Sequence, residues 1–101
     1  MTEFKKKALD TLDDIFNLVE SKFDNFEVDY EDENLRIDSL EGRGTFIVSI
    51  HSPTSQIWLS SPISGAHHFE SKSMESVEWT STRDTNLNLI QLIIKELEQN
   101  K

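Results

Sequence analysis

The sequence predicts an α+β fold, a two-layer α/β sandwich with two terminal helices packed on one face of a five- to six-stranded antiparallel sheet. Three observations carry that expectation. Helical apolar spacing marks the two ends of the chain, the middle breaks into short β-branched and aromatic runs, and turn formers separate those runs at close intervals. With 101 residues there is room for one hydrophobic core, so a single domain over residues 1–101 is expected.

Residues 3 to 24, "EFKKKALDTLDDIFNLVESKFD", align Phe4, Ala8, Leu12, Ile15 and Val19 on one stripe, widened by Leu9, Phe16 and Phe23. Strands are expected at "EVDY", "LRI", "TFIVSI", "QIWLS", "HHFE" and "VEWTS", with turns at "EDEN", "EGRG", "SPTS" and "SPISG". In the last segment, "NLNLIQLIIKELEQN", the helical period returns through Leu87, Ile90, Ile94 and Leu97, with Asp84 or Thr85 as N-cap. Neither helix can bury its stripe alone, and a meander buries one face most readily. Both helices should therefore cover the same side of the sheet and leave the other to solvent.

Strand alternation then sorts the side chains. In "TFIVSI" it sends Phe46, Val48 and Ile50 inward and Thr45, Ile47, Ser49 and, by continuation, His51 outward. In "QIWLS" it buries Ile57 and Leu59 and turns Gln56, Trp58 and Ser60 to the outer face, whereas Trp79 in "VEWTS" reads as core. Trp58 is thus expected as an exposed aromatic anchor for a protein partner, a role in which tryptophan is over-represented. The alternative is an indole covered by a loop or turned inward by a bulge.

The formal charge is −9. Residues 1 to 33 hold eleven acids against four lysines, −7, and the remaining residues add −2. Such a field repels nucleic acid and anionic lipid and attracts cations or a basic protein surface. The longest apolar run is three residues, so no membrane span is expected, and the absence of cysteine removes thiolate metal sites and cysteine nucleophiles. A non-membrane protein in a reducing compartment is the reading.

On the first helix Asp10, Asp13, Asp14, Glu20 and Asp24 recur at intervals that place them opposite or beside the apolar stripe. Outward-pointing Glu27, Asp29 and Glu31 of the first strand extend that ridge onto the sheet edge. A hard cation would find oxygen ligands there, although a solvated face that keeps the domain soluble explains the same charges, and the loop spacing of an EF-hand is missing. Adjacent His67 and His68 point to opposite faces of a strand and cannot chelate one ion together. Gly42 and Gly44 in "SLEGRGT" make a hairpin turn rather than a phosphate cradle, no nucleophile-elbow pattern occurs, and the paired Glu-x-x-His helices of a di-iron centre are missing.

Taken together, "SPTSQIWLSSPISG", the preceding "GTFIVSI", the acidic first helix and the closing "NLNLIQLIIKEL" resemble the frataxin family over nearly the whole chain, in its bacterial, CyaY-like form. The resemblance implies a frataxin-like sandwich and a small, non-enzymatic iron-binding protein. It would regulate iron-sulfur cluster assembly by docking on a cysteine desulfurase and its iron-sulfur scaffold protein. It places the family's metal role on Asp10, Asp13, Asp14, Glu20, Asp24, Glu27, Asp29 and Glu31, with iron (Fe2+/Fe3+) weakly bound at surface carboxylates. Gln56 and Trp58 take the sheet-face partner role, with Ser49, His51 and His68 at neighbouring positions where animal frataxins carry asparagine, glutamine and arginine. A bacterial cytoplasmic monomer is expected, with iron-dependent oligomers left open. The rival expectations are a ferroxidase that stores iron and an acidic interaction module with no metal role. Sparse carboxylates bind calcium at dissociation constants of roughly 0.1 to 1 mM, the scale expected for a first divalent ion here, and Fe(II) lies near the weak end of the affinity order, so availability rather than affinity would select iron.

Overall fold

The first stripe folds as expected into α1, Glu3–Lys22, which buries Ala8, Leu12, Ile15 and Val19. The computed structural model describes residues 3–71, 79–84 and 86–99. Strands β1 (Phe26–Glu31), β2 (Asn34–Ser39), β3 (Thr45–His51), β4 (Gln56–Ser61), β5 (Gly65–Glu70) and β6 (Thr80–Ser81) follow, and α2 (Leu89–Gln99) closes the described chain. The six strands form one antiparallel sheet in sequence order, β1-β2-β3-β4-β5-β6. Both helices pack their apolar sides against one face of it, and Leu35, Ile37, Phe46, Val48, Ile57, Leu59 and Phe69 from the strands meet them in a single core.

Turn chemistry fixes the register. Glu31 pairs with Asn34 across a two-residue connection in which Asp32 takes φ 53°, a left-handed conformation that aspartate tolerates better than most residues. In the β2–β3 turn Gly44 has φ +118°, and a Cβ there would lie 2.5 Å from the Pro62 Cβ. The residue must therefore be glycine, and the contact holds the β2–β3 and β4–β5 turns together at one end of the sheet.

The end of the chain differs from expectation. Asn88 caps α2, its Oδ1 accepting from the N–H groups of Ile90 and Gln91 at 3.1 and 3.4 Å. Asp84 instead closes a turn, accepting from Asn86 N–H on its side chain and from Leu87 N–H on its carbonyl. Thr85 lies outside the described residues. The cause is pairing: Ser81 N–H donates to Leu87, Leu89 N–H donates to Trp79, and Thr80 bridges Asn88, so residues 87–89 are held against β6 and no helix starts earlier. The buried side of α2 is accordingly Leu89, Leu92, Ile93, Glu96 and Leu97, with Ile90 and Leu87 at its margin, a phase rotated from the predicted stripe. Of "VEWTS", Val77 and Glu78 lie outside the described residues. Trp79 is core as expected, its Nε1–H donating to Thr11 Oγ1 at 2.8 Å and its ring meeting Phe4 edge-on.

Glu96 is the unexpected member of the core, 4% exposed. It accepts from Ser61 Oγ at 2.5 Å and from Ser64 Oγ at 2.6 Å, while Ser61 Oγ itself accepts from the N–H groups of Ile63 and Ser64. One buried carboxylate thus ties α2 to the β4–β5 turn. Glu96→Ala should lower stability by about 1–3 kcal/mol, read as a lower urea midpoint, because the serine hydroxyls lose a charged acceptor. Gly44→Ala should destabilise at least as much, through both the φ value and the proline contact.

Candidate functional site

The rotational phase that buries the α1 stripe decides where the carboxylates go. Asp10, Asp13, Asp14 and Glu20 are all exposed on α1, and Asp24 is exposed in the turn beyond it, since the helix ends at Lys22 rather than at residue 24. Along β1 the residues alternate buried and open, so Glu27, Asp29 and Glu31 point outward as expected. Because β1 is an edge strand, the two sets form a flank that wraps from the helix over the rim of the sheet. The ion pairs among the described residues, Lys5 with Glu33, Arg36 with Asp38 and Arg43 with Glu41, use none of these eight carboxylates. Equally, among the described residues no three Asp, Glu or His side chains converge on a point that could hold an ion. The flank is an open array. A cation gathered there keeps most of its water.

Tyr30 is a member of this flank that sequence reasoning passed over. It follows Val28 on the inward side of β1, but near the rim its ring leans on Phe16, 6.2 Å between centroids, and its phenol lies within the field of Asp13 and Asp10. Partial burial and the Asp13 and Asp10 charges together hold the phenol protonated to higher pH than usual. The available signal was its place near the open end of an inward-facing row, within reach of the helix.

The outer face of the sheet carries the second set. The register sets Asn34, Ser49, Trp58 and His68 in one row and His51, Gln56 and Glu70 in the next. Trp58 faces outward as predicted, and among the described residues neither a capping loop nor a bulge turns it inward. It is half-buried rather than exposed, however, because His51 stacks on one side at 3.8 Å and 15° and His68 on the other at 4.5 Å and 23°. Its Nε1–H donates to Gln56 Oε1 at 2.8 Å, and Thr54 Oγ1 bonds both that oxygen and His51 Nδ1. The five sheet-face residues named from the sequence therefore share one surface, with Ser49 next to the indole in its row. His67 points the other way, as expected, to Ser64 Oγ and Phe69. Beside this patch Ile47, 39% exposed, opens onto a hollow of about 650 Å³ that also touches Asp29, Glu31 and Arg36. At its edge Thr45 Oγ1 donates to Asp38 at 2.6 Å and, with Arg36, holds that carboxyl below its usual range.

Fold and surface together define a class of molecule: a small acidic α/β sandwich that presents a carboxylate flank and a histidine-clasped indole on its outer sheet face. The chain belongs to the frataxin family, whose frataxin-like domain model matches residues 1–101. It is 37% identical to a mitochondrial frataxin-like protein of Leishmania donovani over 86% of this chain and 51% of that one. With the mitochondrial frataxin homolog of Schizosaccharomyces pombe it shares 39% identity over 74% of this chain and 45% of the relative. The chain thus spans about half the length of these curated relatives. Among solved structures, trimeric frataxin from Saccharomyces cerevisiae complexed with ferrous iron matches at TM-score 0.73 and 26% identity, covering 99% of this chain and 86% of that one. Frataxin from Psychromonas ingrahamii shares the fold at TM-score 0.78 and 19% identity, over 98% and 91% of the two chains. No described helix is long and apolar enough to cross a membrane.

Two outcomes test this geometry. Tyr30 is the sole tyrosine, so phenolate absorbance reports it alone; Asp13→Asn should bring its titration midpoint down toward the ordinary value near ~10. Because the unfolded chain gives up that proton first, stability should fall as pH rises through the tyrosine range, and Asp13→Asn should reduce the fall. On the outer face, removing both clasping rings with His51→Ala and His68→Ala should raise acrylamide quenching of tryptophan fluorescence, and the rise reports Trp58, since Trp79 is sealed in the core and shielded from the quencher.

Proposed function

We propose that the chain is an iron-binding regulator or adaptor of iron-sulfur cluster assembly. It docks through its carboxylate flank on a basic surface of a cysteine desulfurase and through the outer sheet face on the iron-sulfur scaffold protein. The single observation that carries this reading is the segregation of eight exposed carboxylates, absent from the ion pairs among the described residues, along one helix, the turn after it and the adjoining sheet edge. Family membership supplies the iron context, together with the ferrous complex of the yeast relative. The open array suits iron held as cargo at low affinity, since oxygen ligands spaced along a helix bind a hydrated ion without enclosing it. In this reading the chain is not an enzyme. It changes the rate of the complex it joins, and iron promotes self-association as a secondary event.

Long-range attraction by the flank speeds encounter, and the desolvated sheet-face contacts govern residence. Charge reversal at Asp13 and Asp14 should therefore weaken desulfurase binding by about tenfold in low salt and by much less in high salt, where exposed charges are screened over ~8 Å or less. Calorimetry at two ionic strengths checks this, and equal losses in both would contradict the electrostatic role. A metal-independent module remains a specific rival because no three acidic or histidine side chains converge among the described residues. NMR titration with Fe(II), Ca(II) and Mg(II) separates the two: the iron reading requires localised shifts or broadening from Asp10 to Asp24. The ferroxidase rival requires saturable, stoichiometric oxygen consumption on iron addition.

A further inference from the structure

The flank ends at a feature that charge alone does not explain. Where α1 gives way to β1, an open hollow of about 440 Å³ has Phe23, Phe26 and Leu40 in its walls, and Glu20, Asp24 and Glu27 around it. The two phenylalanines are buried, but Leu40 is 60% exposed, more than Ile63 at 46% or Ile47 at 39%. An isolated surface leucine needs no explanation. This one is held in place.

Its N–H donates to the Asn25 carbonyl at 2.9 Å, which fastens the β2–β3 turn to the chain just after α1. On either side, Ser39 N–H donates to the Gly44 carbonyl, Gly42 N–H donates to the Ser39 carbonyl, and Glu41 N–H donates to Ser39 Oγ. The leucine is presented from a cross-braced turn, so little conformational entropy remains to be lost when something covers it. Among the described residues no lysine or arginine lines the hollow, and its three carboxylates are absent from their ion pairs.

We infer that this hollow is a docking socket for a basic segment of a partner protein, one that carries an aliphatic or aromatic side chain between its lysines or arginines. The apolar side chain covers Leu40 and the rim of Phe23 and Phe26, while the flanking cations meet Glu20, Asp24 and Glu27. This rests on the reading of the flank as a protein-docking surface and adds to it a salt-resistant anchor, so the flank selects a sequence pattern as well as a charge. Apolar contact survives ionic strength that screens exposed charge pairs.

Two synthetic peptides of equal charge test the socket directly, one alternating lysine with leucine and one with serine in place of each leucine. Amide chemical shifts followed during titration should place the leucine peptide at residues 20–27 and 40. It should bind about tenfold more tightly than the serine peptide, and that ratio should persist at high salt while both affinities fall. Leu40→Ser should remove that tenfold advantage and leave the serine peptide unaffected. Ile63→Ser, a change at another exposed aliphatic residue, on the β4–β5 turn, should do neither. The inference is overturned if the peptides bind equally, if neither binds, if the shifts fall elsewhere, or if Leu40→Ser and Ile63→Ser act alike. Because no desulfurase is present in the experiment, its failure leaves the charge-reversal test of the flank standing, and failure of desulfurase docking leaves the peptide result standing.

Discussion

The surface of this molecule depends on one burial event, the seating of the α1 stripe on the sheet. Ala8, Leu12, Ile15 and Val19 are sealed completely, and each large side chain so buried contributes on the order of 1.5–3 kcal/mol, an upper figure for a chain whose unfolded state is partly compact. Repulsion between neighbouring carboxylates on the exposed side costs a few tenths of a kcal/mol per pair. The first term outweighs the second several times over. A helix that buries this stripe must therefore turn Asp10, Asp13, Asp14 and Glu20 outward together, and the edge position of β1 continues their row. Tyr30 marks the seam: its ring packs with the helix while its hydroxyl joins the flank.

The outer face obeys a different constraint. A bare indole on a sheet offers two π faces to a partner, but here both faces of Trp58 are taken by imidazoles and its N–H by Gln56. What is left to contact is the indole edge and the histidines themselves. A partner at this patch meets a preassembled stack of three rings rather than a mobile side chain, which lowers the entropy lost on contact.

Much of the fold was legible because its signals are local. Helical spacing marked α1, and alternation separated Phe46, Val48 and Ile50 from Ile47 and Ser49, as their burial shows. What escaped depended on contacts between segments distant in the chain. The start of α2 is set by hydrogen bonds from residues 79–81 to residues 87–89, so a promising cap at Asp84 was overridden and Asn88 took its place. Glu96 reads as a surface charge until Ser61 and Ser64 are known to stand opposite it, thirty-odd residues earlier in the sequence. The flank was readable residue by residue, but that its carboxylates fail to converge follows from side-chain spacing in three dimensions. The two rings clasping Trp58 come from strands on either side of β4, and only the pairing of β3, β4 and β5 brings them together.

The absence of convergence among the flank carboxylates has a thermodynamic consequence for the proposed reading. If hydrated cations and a basic partner use the same open carboxylates, the two are linked, and each changes the affinity of the other by the same factor. Neutralisation by a bound ion removes part of the attraction that draws the partner in, so the coupling is negative unless the partner itself completes the ion's ligand set. An enclosed chelate would escape this competition by hiding its charge. An open flank cannot, and that makes occupancy by metal and occupancy by protein opposing readouts of one surface. The buried stripe beneath it keeps that surface in place in either state.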